Sequence, residues 1–447
     1  MSENETLAAK QDMPISNRWL VVGGAILIQL CLGAIYAWSA FTAKITAADG
    51  IYQFSASQAA WVFSAGLGVF AILLLFAGKL LATLGPRKLT AISAIVFGGG
   101  YVLGGFFGGT FLGQLICIGI IGGAGIGLGY VVPIKVGIAW FPDKKGLISG
   151  LAVAGFGFGA VLWVKLAGSW FGGLLNTADG MMGLPGVQAV FVIYGIIFTV
   201  FVLLGSLVMV NPPEGYKPEG WTPPPPSAKA ATGAVDLTRG EMIRTPQYWG
   251  LLAMYTGSAL AGLMVIYCIK LFGIDALQTS GAAANATIAG AMAGTAMAWY
   301  SILNGLGRIV WGVASDKIGR KMALTAMCVL QGVIMLLFFK MGHSVLGLTV
   351  GACIIGFNFG GNFALFPSAT ADFFGNKNVG TNYGLVFIAY GVAGIAGPQV
   401  AGFFKDAAKG GDVSAWTTPF LIAGIACLVA AAIGLMLKPP KHAHIEA

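Results

Sequence analysis

Long apolar runs separated by short polar segments dominate the sequence between residues 19 and 437. A membrane-spanning helix needs about 20 consecutive, mostly apolar residues. The pattern predicts twelve such helices, at residues 19–42, 57–78, 89–108, 111–138, 147–174, 188–210, 248–272, 287–314, 322–341, 345–369, 379–404 and 416–437. We therefore predict an all-α membrane protein with twelve transmembrane helices.

Residues 211–247 interrupt this pattern with a polar, proline-rich sequence. Such a composition is typical of an extended, solvated linker, here predicted to be cytoplasmic. It divides the chain into two predicted six-helix bundles, at residues 19–210 and 248–437. Residues 1–18 and 438–447 remain as tails, and the first of them lacks the features of a cleavable signal peptide.

The composition agrees with a membrane protein and argues against some other functions. Of the 447 residues, 57% are hydrophobic and 9% are charged, whereas soluble domains carry about 25% charged residues. The formal net charge of +9 does not indicate nucleic-acid binding, because the basic residues are spread over short loops rather than gathered in one patch. We expect membrane lipid around the protein and no nucleic-acid partner.

Cysteine and histidine residues give no indication of a metal or redox centre. All six cysteines fall within apolar runs without a CxxC pair, and buried thiols behave as small hydrophobic side chains. The three histidines, His343, His442 and His444, lie outside the predicted helices. We therefore expect no metal, no cofactor and no catalytic residue, and hence a protein that is not an enzyme.

The distribution of lysine and arginine predicts the orientation of the helices, because cytoplasmic loops are enriched in these residues. Eighteen lie in one set of alternating segments. At most six lie in the other set: Lys44, Lys165, Lys270, Lys340, Lys405 and Lys409. Both termini are therefore predicted to be cytoplasmic, in a multi-pass protein of the cell inner (plasma) membrane that we expect to be a monomer. Near the outer ends of their helices, Lys165 and Lys270 are expected to extend towards the membrane interface.

Arg308 stands out because it lies inside an apolar run, at 287–314. Removing a guanidinium from water is costly, so such a residue is expected to face a cavity or a partner. No carboxylate lies in the middle of another apolar run, so the expected partner is an anionic cargo. The alternative is that Arg308 caps backbone carbonyls or extends to the interface. Asn304 lies one helical turn earlier on the same face, where it either orients the guanidinium or packs as an interhelical amide.

The two halves of the chain resemble each other at a constant spacing. A loop that begins at Gly78 follows the second predicted helix, and a similar loop begins 234 residues later at Gly312. Pro133 and Pro367 are also 234 residues apart, each near the end of a similar apolar segment. Parallel repeats of six helices are typical of transporters whose halves move around a site near the membrane midplane.

The repeated loop resembles the signature loop of the major facilitator superfamily. The second copy is nearly complete, with Gly312, Asp316, Gly319, Arg320 and Lys321 in place. The resemblance implies two pseudo-symmetric six-helix bundles, the major facilitator fold, and a gating role for these residues. Positive-inside topology alone is the alternative for the basic residues, but it does not explain the glycines and the aspartate.

The first copy of the loop departs from the signature. Gly78 and Arg87 are present, but Ala82 stands at the position of the acid and Pro86 precedes the arginine. This copy therefore lacks the acid that a gating charge pair needs.

A narrower resemblance is to the oxalate:formate antiporter family, which is close to the bacterial monocarboxylate transporters. It rests on residues 32–41, 129–150, 304–320 and 382–398. It implies that the guanidinium of Arg308 binds the substrate carboxylate through two parallel hydrogen bonds.

Two further residues bear on the cargo and on its coupling. Asn304 stands where related monocarboxylate transporters have an aspartate, so it cannot carry a proton. Tyr390 stands where the oxalate-specific antiporter has a lysine, so a dianion would meet only one fixed positive charge, which favours a monocarboxylate.

Aromatic residues are expected to line the same cavity. The family's corresponding aromatics surround the substrate, and they match Tyr36, Tyr130, Phe359, Phe363, Phe387 and Tyr390. A short organic acid has an anionic head and an apolar tail, so aromatic walls suit it. Lipid contact or helix packing is the alternative for each of these rings. The glycine-rich runs at 122–129 and 155–159 lack the context of a nucleotide-binding loop and are expected to pack helices closely.

The sequence thus predicts a secondary transporter of small monocarboxylates such as lactate, pyruvate or formate. Alternating access coupled to protons is the expected mechanism. An organic-anion antiporter of the oxalate:formate type, with a counter-anion in place of the proton, is the alternative.

Overall fold

The computed structural model describes residues 17–168, 170, 173, 175, 183–213, 215–218, 220, 236–375, 377–408 and 412–438. Within these residues, twelve helices are long and apolar enough to cross a membrane. They are α1 (Trp19–Ile45), α2 (Ala56–Leu84), α3 (Pro86–Phe107), α4 (Phe111–Trp140), α5 (Gly150–Gly168), α6 (Gly186–Leu207), α7 (Pro246–Thr279), α8 (Ala286–Ile318), α9 (Arg320–Met341), α10 (Val345–Phe374), α11 (Val379–Ala407) and α12 (Val413–Met436).

Most of these helices are longer than the apolar runs that predicted them, because polar residues and glycines cap their ends. Ser55 and Gln58 form a capping box before α2, in which each side chain accepts a hydrogen bond from the other residue's backbone N–H. Asn285 caps α8 in a similar way through Ile288 N–H. The apolar pattern cannot detect such ends, since the capping residues are polar.

The face of the molecule that holds the start of α1 and the end of α12 is here called the terminal face, and the other the opposite face. Helices α1–α6 form one bundle and α7–α12 the other, with close pairs such as α3 with α6 and α8 with α10. Glycine permits this proximity. A Cβ on Gly307 of α8 would lie 2.0 Å from the Phe357 carbonyl oxygen of α10, so no larger residue fits. Between the bundles, α2 packs on α11, α5 on α8, and α1 on α7.

At the opposite face, the two bundles are joined at the start of α2. Asp406 of α11 accepts hydrogen bonds from the backbone N–H groups of Ala56 at 2.6 Å and Ser57 at 2.8 Å. These N–H groups have no partner inside the helix, and a carboxylate is favoured at a helix N-terminus. Tyr267 of α7 donates its hydroxyl to the Ala56 carbonyl. This face of the interface is therefore closed.

At the terminal face, part of the segment between the bundles is folded rather than extended. A short helix at Arg239–Met242 follows the capping residue Thr238. Leu237 is buried and donates its N–H to the Phe374 carbonyl at 2.9 Å. Arg239 donates to the carbonyls of Thr381, in α11, and Leu75, in α2, at 3.1 and 3.4 Å. The described end of the predicted linker thus contacts both bundles.

Candidate functional site

Arg308 lies inside α8 and is 3% exposed. Its Nη1 donates to the Val153 carbonyl of α5 at 2.6 Å, while Nε and Nη2 donate to Asn304 Oδ1 at 3.3 and 3.0 Å. Its Cζ lies 4.0 Å from the ring centroid of Phe363. Within the described part of the chain, no carboxylate lies within ion-pair distance of the guanidinium.

The hydrogen bonds of Arg308 leave part of its fork unused. A guanidinium has five N–H donors, of which two are on each terminal nitrogen. One N–H on Nη1 and one on Nη2 form no hydrogen bond of ordinary geometry within the described residues, although the hydroxyls of Tyr36 and Tyr130 interact with the guanidinium. A carboxylate accepts hydrogen bonds from two such donors at once. The geometry of the side chain is therefore suited to an anion that the chain itself does not supply.

Asn304 and Gly157 define how α5 of the first bundle meets α8 of the second. Asn304 is fully buried, and its amide lies one turn before Arg308. A Cβ on Gly157 would lie 2.6 Å from Asn304 Oδ1 and 3.2 Å from the Gly305 nitrogen. Only glycine at position 157 lets the two helices approach this closely. The guanidinium thus joins the bundles, since Val153 belongs to one and Asn304 to the other.

Aromatic rings from both bundles surround this guanidinium. Tyr36 and Tyr390 share a hydrogen bond of 2.8 Å between their hydroxyls, across the bundle interface. Phe359 lies 6.0 Å from Tyr36 and 5.5 Å from Phe363, between ring centroids. Phe387 stacks on Tyr390 at 4.8 Å. All are less than a tenth exposed, so these rings lie inside the protein rather than at its lipid-facing surface.

Two of the helices that carry these rings are irregular where they pass the site. Tyr36 lies in a 3-10 segment of α1, Gly33–Ala37, between two α-helical parts. Helix α11 consists of Val379–Val386 and Ile388–Ala407, with the break at Phe387. Irregular helix geometry often marks a hinge or functional region, and interrupted helices form the midplane sites of transporters. Pro398 lies inside the second part and not at the break.

The structure brings together all eight residues that the sequence predicted for the substrate site. They form one connected group: Arg308, Asn304, Tyr36, Tyr130, Phe359, Phe363, Phe387 and Tyr390. Their roles toward a substrate remain predictions.

The sequence analysis did not predict three residues at the centre of this group, which are Phe156, Phe70 and Val153. The ring of Phe156 lies 5.1 Å from Tyr36 and 5.3 Å from Tyr130, and 6.0 Å from Arg308 Cζ. Phe70 lies within 5.7 Å of Tyr130, Phe387 and Tyr390.

Phe156 belongs to a sequence pattern that was recognised but interpreted only as a helix-packing motif. It lies in the run Gly155–Gly159, whose glycines do pack closely, against Gln29, Asn304 and Leu30. Nothing in the sequence around Phe70 distinguishes it from neighbouring apolar residues. Val153, the third missed residue, contributes a backbone carbonyl, which no side-chain pattern can indicate.

The second signature loop lies at the terminal face, where α8 ends and α9 begins. Arg320 pairs with Asp316 at 2.7 Å and with Asp372 of α10 at 3.2 Å. Gly319 has φ +85°, which favours glycine. Gly312 lies in α8, about two helical turns before Gly319, and a Cβ on it would lie 3.6 Å from the Ala364 side chain. The charge pairs of this loop therefore lie within one bundle.

The first signature loop has a similar backbone but different contacts. Gly85, 234 residues before Gly319, has φ +76°. Arg87 donates to the Leu207 carbonyl at 2.8 Å, again within its own bundle. A Cβ on Gly78 would lie 3.7 Å from Lys135 Nζ. The matching glycine geometry supports the repeat that the spacing indicated.

A further charge pair at the terminal face lies close to the start of α1. Arg18 contacts Asp143 at 2.8 Å, and this hydrogen bond lowers the pKa of the carboxyl group below its ordinary value. Within the described residues, no group of three or more His, Cys, Asp or Glu side chains is arranged to hold a metal ion.

Comparisons with known proteins agree with this architecture. The family model described as Major Facilitator Superfamily matches residues 25–296 and 276–447. The fold is similar to the crystal structure of a bacterial homologue of the human lysosomal transporter Spinster in an inward-facing and occupied conformation. The TM-score is 0.67 at 15% identity, over 95% of this chain and 97% of that one.

Three relatives match over most of their length. The chain is 31% identical over 385 residues to the uncharacterized MFS-type transporter YhjX of Escherichia coli strain K12, covering 85% of this chain and 86% of the relative. It is 27% identical to the oxalate:formate antiporter of Oxalobacter formigenes, over 95% and 92%. It is 25% identical to apicoplast pyruvate carrier 1 of Toxoplasma gondii, over 83% and 81%.

Proposed function

Because the chain belongs to the Major Facilitator Superfamily, and is thus a multi-pass membrane transporter, we propose that it carries small monocarboxylates by alternating access, coupled to protons. Lactate, pyruvate and formate are the chemical models for this cargo. The observation that carries the proposal is the buried guanidinium of Arg308, which has no carboxylate partner in the described chain.

Arg308 is proposed to hold the carboxylate head of the substrate. In the structure, its charge is compensated by two neutral oxygens and by the face of Phe363. A carboxylate adds the direct attraction between opposite charges to its hydrogen bonds with the guanidinium, and this attraction is stronger inside a protein than in water. A bound carboxylate therefore compensates the buried charge better than the protein does alone, which favours binding of an anion.

Aromatic rings are proposed to enclose the rest of the substrate. The faces of Phe156 and Phe363 flank the guanidinium, and the hydroxyls of Tyr36 and Tyr390 lie nearby. An apolar tail of two or three carbons suits such walls, while a keto or hydroxy group suits the tyrosine hydroxyls. A doubly charged acid would place its second carboxylate against the aromatic rings.

Binding is proposed to be coupled to movement of the bundles through the Val153 carbonyl. In this structure, Arg308 of the second bundle donates to this oxygen of the first. A carboxylate that binds the remaining N–H groups of both terminal nitrogens would draw the guanidinium towards itself and so weaken that bond. The occupied site would then loosen α5 from α8, and the empty site would restore the contact. This gives the substrate different affinities for the two conformations, as alternating access requires.

The orientation and location of the protein are part of the proposal. The excess of Lys and Arg in alternate segments supports a cytoplasmic terminal face, in the cell inner (plasma) membrane. The glycines and charge pairs around Asp316 and Arg320 are then proposed to control the cytoplasmic gate. The other face, closed by Asp406 on the start of α2, is proposed to be extracellular.

An exchanger of two organic anions is the second candidate. The 27% identity to the oxalate:formate antiporter over nearly the whole chain favours it. Against a dianionic cargo, Tyr390 supplies a hydroxyl and not a second cation at the site. Arg308 is the cation that contacts the aromatic group in the described chain.

Transport into proteoliposomes separates these candidates. Purified protein is reconstituted, and uptake of labelled lactate is measured in competition with unlabelled C1 to C4 mono- and dicarboxylates. The proposal expects saturable uptake, driven by an inward proton gradient into vesicles without internal substrate, and stronger competition by pyruvate or formate than by oxalate. Uptake that occurs only into vesicles preloaded with an anion would identify the exchanger. No saturable uptake of any of these acids would contradict the proposed function.

A further inference from the structure

The described end of the linker is a segment that the proposed transport mechanism does not use. Residues 236–242, here called the strap, lie at the terminal face and end in the short helix Arg239–Met242. Leu237 and Met242 are buried, at 2% and 0% exposure, although a linker of this composition is expected to be solvated. The strap is therefore packed onto the helices at this face.

The strap is fixed to the second bundle through the backbone of Leu237. The Leu237 N–H donates to the Phe374 carbonyl, at the end of α10, at 2.9 Å. The Leu237 carbonyl accepts from Asn378 Nδ2 at 3.1 Å and from Asn382 Nδ2, in α11, at 2.9 Å. Asn382 is fully buried, so its bond to the strap is shielded from water. Because both backbone groups of Leu237 are held, we expect the strap to move together with the adjoining ends of α10 and α11.

Helices α2 and α11 form the seam between the bundles next to the strap. A Cβ on Gly384 of α11 would lie 3.7 Å from the Leu75 side chain of α2. One turn farther from the terminal face along α2, the Cβ of Ala71 would lie 2.7 Å from a Cβ on Gly391. The seam is therefore closed in this structure. Since the two bundles of such a transporter move against each other, these contacts must separate when the terminal face opens.

Arg239 of the strap spans this seam. Its Nε donates to the Thr381 carbonyl of α11 at 3.1 Å, and its Nη2 donates to the Leu75 carbonyl of α2 at 3.4 Å. Leu75 is also the residue of α2 that meets Gly384, so the guanidinium lies where the two helices touch. The fork of a guanidinium allows two of its nitrogens to donate at once. The bond to Leu75 is lost when α2 moves away from α11, whereas the bond to Thr381 is not.

The ion pairs described at the terminal face differ from this contact, because each of them lies within one bundle. Arg18 pairs with Asp143 in the first bundle. Arg320 pairs with Asp316 and with Asp372 in the second. Movement of one bundle against the other leaves these pairs intact. The hydrogen bonds of Arg239, in contrast, depend on the relative position of the bundles.

We propose that the strap is a latch that keeps the terminal face closed, with Leu237 fixing it to the second bundle and Arg239 binding it to the first. The latch is engaged whenever α2 and α11 touch at Leu75, and it is released when the terminal face opens. It stabilises the conformations with a closed terminal face, which are those that can open at the opposite face. The latch goes beyond the proposed function and does not depend on which acid is carried.

The contribution of Arg239 is tested with Arg239→Ala in vesicles of known orientation. Ala71, which is 3% exposed at the seam, is replaced by cysteine in a background without the native cysteines. An impermeant thiol reagent is then added on the terminal face. We expect Arg239→Ala to raise the labelling rate about threefold, because one hydrogen bond of ordinary strength is lost and the rate follows the fraction of open protein.

Two controls distinguish a latch from an effect of charge and from general loosening. Arg244→Ala removes another exposed arginine close to the strap, one that forms no hydrogen bond or ion pair with the described residues, and should leave the rate unchanged. A cysteine at the buried Ser64, labelled from the opposite face, should react no faster in Arg239→Ala. The latch is overturned if Arg239→Ala keeps the wild-type rate at the terminal face, if Arg244→Ala reproduces its effect, or if Arg239→Ala raises labelling at both faces.

A second variant tests how the strap is fixed to the second bundle. Asn382→Leu replaces the amide by an apolar group of similar size and removes the bond to the Leu237 carbonyl, so it should also raise labelling from the terminal face. Since both substitutions release the same strap, Arg239→Ala should add less in the Asn382→Leu background than in the wild type. Fully independent effects would overturn the latch. These measurements need no substrate, so they decide on the latch even if the protein carries no lactate.

Discussion

Replacing Gly157 by alanine tests whether the contact between α5 and α8 positions the guanidinium of Arg308. The new methyl group would lie 2.6 Å from Asn304 Oδ1, so the amide or the helix must move by about 0.8 Å to reach an ordinary contact of about 3.4 Å. That oxygen accepts two hydrogen bonds from Arg308, at 3.0 and 3.3 Å. Their loss is expected to misplace the guanidinium while leaving the helix intact.

The size of the effect follows from these bonds. A hydrogen bond to a charged group contributes about 1.5–3 kcal/mol, which corresponds to a roughly ten- to hundredfold change in affinity. We therefore expect Gly157→Ala to raise the KM for the transported acid by roughly tenfold or more. Gly294→Ala, in α8, is the matched control because a Cβ there meets nothing within 4 Å. Alanine also favours a helix over glycine, so neither variant is expected to unfold.

A double-mutant cycle shows whether the effect passes through Asn304. Uptake kinetics are measured for Gly157→Ala, Asn304→Ala and the combination. Since the clash is with the Asn304 side chain, Gly157→Ala should cost little more once that side chain has been removed. Wild-type kinetics for Gly157→Ala, or fully additive effects in the double variant, would refute this reasoning.

Three further predictions concern the closing of the bundles and the signature loop. Tyr390→Phe and Tyr36→Phe each remove the 2.8 Å bond between the bundles, so each should raise KM by roughly two- to tenfold, and the double variant should match either single one. Asp406→Asn removes the charge that closes the opposite face. A cysteine placed at Ser64, in a background without the native cysteines, should then react faster with an impermeant thiol reagent added on that face; an unchanged rate would contradict the closing role. Gly319→Ala places a side chain at φ +85° and should destabilise the protein by about 1–2 kcal/mol, seen as a lower Tm, and a wild-type Tm would contradict the strain.

The fold could be predicted from the sequence because its main determinants are local. Each helix needs only a long apolar run, and the repeat appears as one constant spacing between Gly78 and Gly312. Helix ends were less accessible, because they depend on polar caps such as Asn285 and on glycines with positive φ. The short helix at Arg239–Met242 was also hidden, since it lies in a segment whose overall composition is that of a linker.

The candidate site could be predicted only where a residue was unusual for its surroundings. A charge inside an apolar run marks Arg308, and one helical turn links it to Asn304. Phe70 and Phe156 carry no such mark in a chain with 12% aromatic residues, and they reach the site only through the way the bundles meet. The Val153 carbonyl depends wholly on that contact, since every residue has a carbonyl.

The most direct test of the account is saturable uptake of labelled lactate by wild-type protein, Arg308→Lys and Arg308→Ala, all shown to be folded by their elution as single species. A lysine keeps the charge but cannot offer two parallel N–H donors to a carboxylate. The account predicts that Arg308→Ala loses saturable uptake and that Arg308→Lys retains less than about a tenth of the wild-type kcat/KM. Undiminished saturable uptake in both variants would contradict it.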